Sequence, residues 1–313
     1  MRHPTVVVSR RAFHRGRLGI SWEHLFKTGH RDIGDSRDMR SYEVGTVPMD
    51  RDVEDGWEVV HPTAEAALDG VLMAGFRDRA GAGLDLRVLP QPTVVVIIGI
   101  GDTPVTVHGA AESRALPSFV ATLSPGPARI HGDRVECVEV RLSPRAAYGL
   151  LGVSPRELNG SVTGLGELWG AQERRLREQL ADAATWSQRL ALTRAFLVQR
   201  GATAPPMAPE VATTWDTIVA HRGQIRVDDL AASCGWSRKR LWAKFTDQIG
   251  LSPKRAAMLV RFDHAARALR AGATAGEVAV TCGYADQPHL NRDLLALAGC
   301  TPGALAGRVT SAG

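Results

Sequence analysis

The last third of the chain writes the same punctuation twice. "CGWSRKRLWAKF" begins at Cys234 and "CGYADQPHLNRDL" at Cys282, 48 residues later. At that offset Asp229 aligns with Glu277, Leu230 with Val278, Ala231 with Ala279, Gly235 with Gly283 and Trp236 with Tyr284. One inserted residue then brings Leu241 onto Leu290, Phe245 onto Leu294, Gly250 onto Gly299, Ser252 onto Thr301 and Pro253 onto Pro302. Glycine accepts the left-handed backbone that a tight helix–helix turn demands. Ser237 and Asp286 are residue types that cap helix N-termini. Apolar residues four apart pin one helix face to the core and leave the opposite face outward. Each unit therefore reads as helix, turn, helix.

Between the units, "SPKRAAMLVRFDHAARALRAG" starts on a Ser-Pro cap and stops at Gly272, with Val260, Ala265, Ala268 and Leu269 on its apolar side. A helix of about 18 residues rising 1.5 Å per residue spans roughly 27 Å. That suffices to hold two reading heads on one face of a duplex, whose successive major grooves lie about 34 Å apart. Charge supports a polyanionic partner. The net charge is +5, and residues 222–270 hold eleven Lys/Arg against four Asp/Glu, whereas residues 1–205 nearly balance, 25 against 24. Residues 276–313 carry two Arg against three acids, so the second unit is the poorer in positive charge.

From "RVDDLAASCGWSRKRLWAKFTDQIGLSPKR" to "GYADQPHLNRDLLALAGCTPGAL", residues 210–308 resemble the DNA-binding domain of AraC-type transcription regulators. The resemblance implies a sequence-specific regulator with double-stranded DNA as partner. It also implies an N-terminal ligand-sensing or dimerising domain, often a cupin-like barrel with helices. Carried onto this chain, the base-reading positions are Arg238, Lys239, Trp242 and Ala243 in the first unit. In the second they are Gln287, Pro288, His289, Asn291 and Arg292. Arg pairs bidentately with guanine, Gln or Asn with adenine, and apolar groups meet the thymine methyl. Arg292, two residues past the inward Leu290, is the foremost base reader. Arg240, Lys244, Lys254 and Arg255, with Arg238, suit phosphate contacts, which position without specifying. Trp242 fits a packing role equally well, and any single Arg or Lys fits a solvated face. Leu294 replaces a usual aromatic, and Ala256 and Leu305 replace a Tyr, so looser packing is expected there.

The rest of the chain is read as α+β. Residues 1–56 show no sustained period and form a poorly defined arm; "ISWEHLF" within it fits either a short helix or a strand. Residues 57–200 form a β-rich sensing or dimerisation domain with C-terminal helices. Strands are expected at "LDLRVL" (84–89), "TVVVIIGI" (93–100), "PVTVH", "SFVATL" and "VECVEVRL" (135–142), as a small barrel or sandwich. Ser143-Pro144 and Ser154-Pro155 each predict a capped helix start, with Glu157 completing a capping box at Ser154. Two amphipathic helices over 172–200 suit dimerisation or packing on the barrel. Residues 201–209 read as a linker.

Other functions find little support. Nothing approaches the roughly 18 apolar residues of a membrane helix, and the basic N-terminus has no secretory apolar core, so a cytoplasmic chain is expected. Four scattered cysteines fit buried reduced thiols, with neither a metal site nor a cofactor expected. His108 and His131 stand alone, "GIGDTP" lacks the third Gly of a dinucleotide loop, Ser124 lacks a Gly-x-Ser-x-Gly elbow, and Cys137 lacks a neighbouring base. No catalytic residue is therefore assigned. The alternatives are a non-specific architectural DNA binder, or a cupin-like enzyme fused to a DNA-binding domain. A small-molecule effector, a homodimer and, for an activator, RNA polymerase are the further partners that the reading allows.

Overall fold

A computed structural model describes residues 56–62, 68–109, 113–123, 126–158 and 162–310. Apart from Gly56, the expected N-terminal arm lies outside these residues, as does "ISWEHLF".

The β-rich part forms two antiparallel sheets. The first has the order β1 (Trp57–Val60), β2 (Val71–Asp78), β9 (Glu136–Leu142), β4 (Val94–Gly99), β7 (Ser118–Ala121), β10 (Val162–Gly164). The second has the order β3 (Leu84–Val88), β8 (Ala128–Gly132), β5 (Val105–His108), β6 (Ser113–Leu116). The β-branched run at 93–100 becomes β4, buried on both faces as its composition demands. Ile97 points into the space between the sheets with Phe76, Leu86, Val107, Phe119 and Cys137. Val96 and Ile98 point the other way and join Met73, Val138, Val140 and Leu142 beneath the helices.

Over that outer face lie α1 (Pro144–Leu151), α2 (Leu165–Trp169), α3 (Ala171–Asp182) and α4 (Trp186–Gly201). Ser143 caps α1 as expected, accepting from the Ala146 amide at 3.2 Å. The second Ser-Pro pair departs from its local pattern. Residues 155–158 form turns, and the Ser154 hydroxyl donates to the Asp247 carbonyl at 2.6 Å, so the expected helix with its capping box is absent there. The hydroxyl oxygen accepts from the Arg156 amide at 3.3 Å while its proton serves the contact with Asp247. The apolar stripes of α3 and α4 are used internally: Leu176, Leu180, Leu190 and Leu197 are buried, and Arg189 reaches the Leu180 carbonyl and Glu136.

Residues 202–208 lead into α5 (Pro209–Ala220), α6 (Val227–Ser233), α7 (Arg238–Ile249), α8 (Pro253–Arg270), α9 (Ala275–Thr281), α10 (Gln287–Ala298) and α11 (Pro302–Thr310). The apolar core continues without a break from the first sheet through α1 into α5, α7 and α8. Residues 56–200 and 209–310 therefore meet across packed side chains. Fully burying one Leu or Phe there contributes about 1.5–3 kcal/mol.

Candidate nucleic-acid interface

The two helix–turn–helix units close their turns identically. Trp236 donates to the Ala231 carbonyl and Tyr284 to that of Ala279, at 3.1 and 2.9 Å. Gly235 and Gly283 take φ of +65° and +70°, the left-handed conformation such turns require. At Gly283 a Cβ would also displace the exposed Gln224 side chain. Ser237 accepts from the Arg240 amide and Asp286 from that of His289, which fixes where α7 and α10 begin. Leu241 and Phe245 on α7, and Leu290 and Leu294 on α10, are completely buried. Ala256, Leu294 and Leu305 are each no more than 2% exposed, so smaller residues still close this core.

That inward pinning turns a defined set of side chains outward. On α7, Arg238, Lys239, Arg240, Trp242, Ala243 and Lys244 are exposed; on α10, Gln287, Pro288, Asn291 and Arg292 are exposed while His289 is half-buried. Trp242 is 50% exposed, which places it on the surface rather than in the core. His289 stands edge-on to Tyr284, ring centroids 5.1 Å apart, and is partly engaged within the protein. The Arg292 Nε donates to the Pro288 carbonyl at 3.3 Å, a loose tether one turn back. Lys254 and Arg255 are exposed at the start of α8, which Ser252 caps through the Arg255 amide.

Several features were not legible beforehand. Arg238 forms an ion pair with Asp228 of α6. The Arg240 guanidinium lies over the Trp236 ring, 4.4 Å from its centroid. Arg261 of α8 stacks on Tyr284 at 4.8 Å and pairs with Asp293 at 3.2 Å, tying the second unit to the connecting helix. Burial pushes the Tyr284 phenol up to about 12, so it stays neutral. Leu295, 53% exposed, extends the outward face of α10 beyond Arg292. Basic residues in 222–270 announced a charged surface, but spacing alone does not say which are spoken for.

The rejected catalytic candidates take unremarkable places. His108 contacts the Ser113 hydroxyl at 2.7 Å across the β5–β6 pair, and His131 lies opposite Thr106. Cys137 is buried, and desolvation with Glu139 and Glu136 nearby pushes its thiol far above the ordinary range, which keeps it protonated. Among the described residues no His/Cys/Asp/Glu cluster is placed to hold a metal ion, and no helix is long and apolar enough to cross a membrane.

Comparison with known proteins adds the following. Residues 230–308 match the model of a helix-turn-helix domain family. No curated protein matches the chain. Among solved structures, the C-terminal domain of AraT, a response regulator from Geobacillus stearothermophilus, is 20% identical, with 32% of this chain and 86% of that one covered and a TM-score of 0.31. An AraC-type transcriptional regulator from Chromobacterium violaceum is 20% identical, covering 34% of this chain and 96% of that one, with a TM-score of 0.31. ToxT from Vibrio cholerae is 10% identical, covering 78% of this chain and 100% of that one, with a TM-score of 0.45. Two closed turns, two capped helices and the connecting rod between them accord with the helix-turn-helix domain whose family model residues 230–308 match.

Proposed function

We propose that this chain is a transcription regulator that reads two successive major-groove segments of one duplex, α7 in the first and α10 in the second. The observation that carries the reading is the pair of pinned helices with polar outward faces, joined by the 18-residue α8. Lys239, Trp242 and Ala243 read bases from α7; Gln287, Pro288, His289, Asn291 and Arg292 read them from α10, with Leu295 able to meet a thymine methyl. Arg240, Lys244, Lys254 and Arg255 hold phosphates, and Arg238 joins them on leaving Asp228. The two-sheet part with its helices serves as the effector-sensing or dimerising unit. RNA polymerase is a further partner if the chain activates, and its work is done in the cytoplasm, without a catalytic step.

Selecting bound duplexes from a random library tests this. Enrichment of one bipartite sequence, held against random competitor DNA, is expected. Equal affinity for all sequences identifies an architectural binder and overturns the reading.

A further inference from the structure

Both recognition helices end without a basic residue in the last turn. Terminal carbonyls without such help favour a donor or a positive charge from elsewhere. In each case the donor comes from the N-terminal half of the chain. At the end of α7 the Ser154 hydroxyl donates to the Asp247 carbonyl. Gln248 there accepts from the Ala208 amide at 3.0 Å and donates to the Tyr148 hydroxyl at 3.3 Å. Pro155 lies against Gly250, so the anchor of α7 is α1 and the turn after it, which continue directly from β9 of the first sheet.

The end of α10 is held differently. Arg87, on β3 of the second sheet, donates from its guanidinium to the Ala298 carbonyl at 2.5 Å, across 211 residues of sequence. Gly299, at φ +59°, admits that approach: a Cβ there would stand 2.8 Å from the same guanidinium nitrogen. Arg129 faces Arg87 in the strand register and is itself paired with Asp85, so a carboxylate neutralises the cross-strand cation and Arg87 is left to reach α10. The two anchors thus belong to two different sheets. What joins those sheets includes an apolar interface of Phe76, Leu86, Ile97, Val107 and Phe119, which is non-directional and does not by itself fix a register.

We propose that Arg87 is a positioning residue for the second recognition helix, through which the packing of the two sheets sets how α10 lies relative to α7. The proposal rests on the DNA-reading role of α10 given above.

The test uses the full chain and the duplex it selects from a random library, with each half scrambled in turn; the α10 half is the one that Arg292→Ala stops reading. Arg87→Ala should reduce discrimination at the α10 half about three- to tenfold, the scale of a typical net hydrogen bond, and leave the α7 half unchanged. Gly299→Asn, which keeps a tolerated left-handed residue but displaces the guanidinium, should give the same selective loss. Arg129→Ala should give none. Unchanged discrimination at the α10 half, or an equal loss at both halves, in a chain that melts normally overturns the positioning role. Should Arg87→Ala not fold, Gly299→Asn and Arg87→Gln decide by the same ratio. A wild-type chain that discriminates at neither half overturns the DNA-reading role and this inference together.

Discussion

At the residue scale, the two helices present their arginines in different company. Arg238 is paired with Asp228, whereas, among the described residues, Arg292 is tethered to its own helix through the Pro288 carbonyl. A paired surface cation must give up its carboxylate to meet a phosphate, and exposed pairs are worth at most about 1 kcal/mol. Asp228→Asn should therefore tighten DNA binding by about two- to fivefold at low salt, seen as a lower Kd by fluorescence anisotropy; weaker binding would show that Asp228 orders the helix instead. Arg292→Ala should cost about 1–3 kcal/mol at one base pair and relax preference there, read from binding to duplexes substituted one position at a time. Residue roles were legible where only neighbouring backbone was needed, as for Ser237 and Asp286. The two Ser-Pro pairs show the limit. Ser143 caps a helix, whereas the residues after Ser154 form turns and its hydroxyl donates to Asp247, 93 residues away.

At the scale of elements, β4 and the two helix–turn–helix units were visible because composition, period and turn residues agreed. Strand β2 was not, since "VLMAGFRD" interrupts its apolar run with Gly75, a position that packs directly beneath the Trp186 ring. The connecting helix α8 was also visible, but the buried acid within it was not. Asp263 is 3% exposed and pairs with Arg267 at 2.8 Å, yet burial outweighs that partner and raises its carboxyl above the ordinary 3.8. A folded-state value above the unfolded one means that this group's stability contribution is full below the unfolded value. It is lost as pH rises through the folded value. Asp263→Asn should thus gain thermal stability over the wild type on going from about pH 4 to pH 8, and a gap that narrows with rising pH would contradict the sign. Arg267, 60% exposed, keeps its hydration when the partner is removed.

For the whole molecule, the uneven charge of the two units was readable from counting alone, while their attachment to separate sheets was not. The contacts Arg87–Ala298 and Ser154–Asp247 join residues 211 and 93 positions apart, beyond any local pattern. Removing Arg238 and Lys239 together should flatten the dependence of log K on log salt by about one to two units, measured by titration at several salt concentrations. An unchanged slope would show that grip resides elsewhere. The same unevenness gives binding an order in time. Long-range attraction acts before contact and short-range fit acts after it. If α7 and α10 are the reading helices proposed above, the basic first helix would govern how often the chain arrives on DNA, and the charge-poor second how long it stays. A duplex matching only the first half would be visited briefly and often, and one matching both would be held.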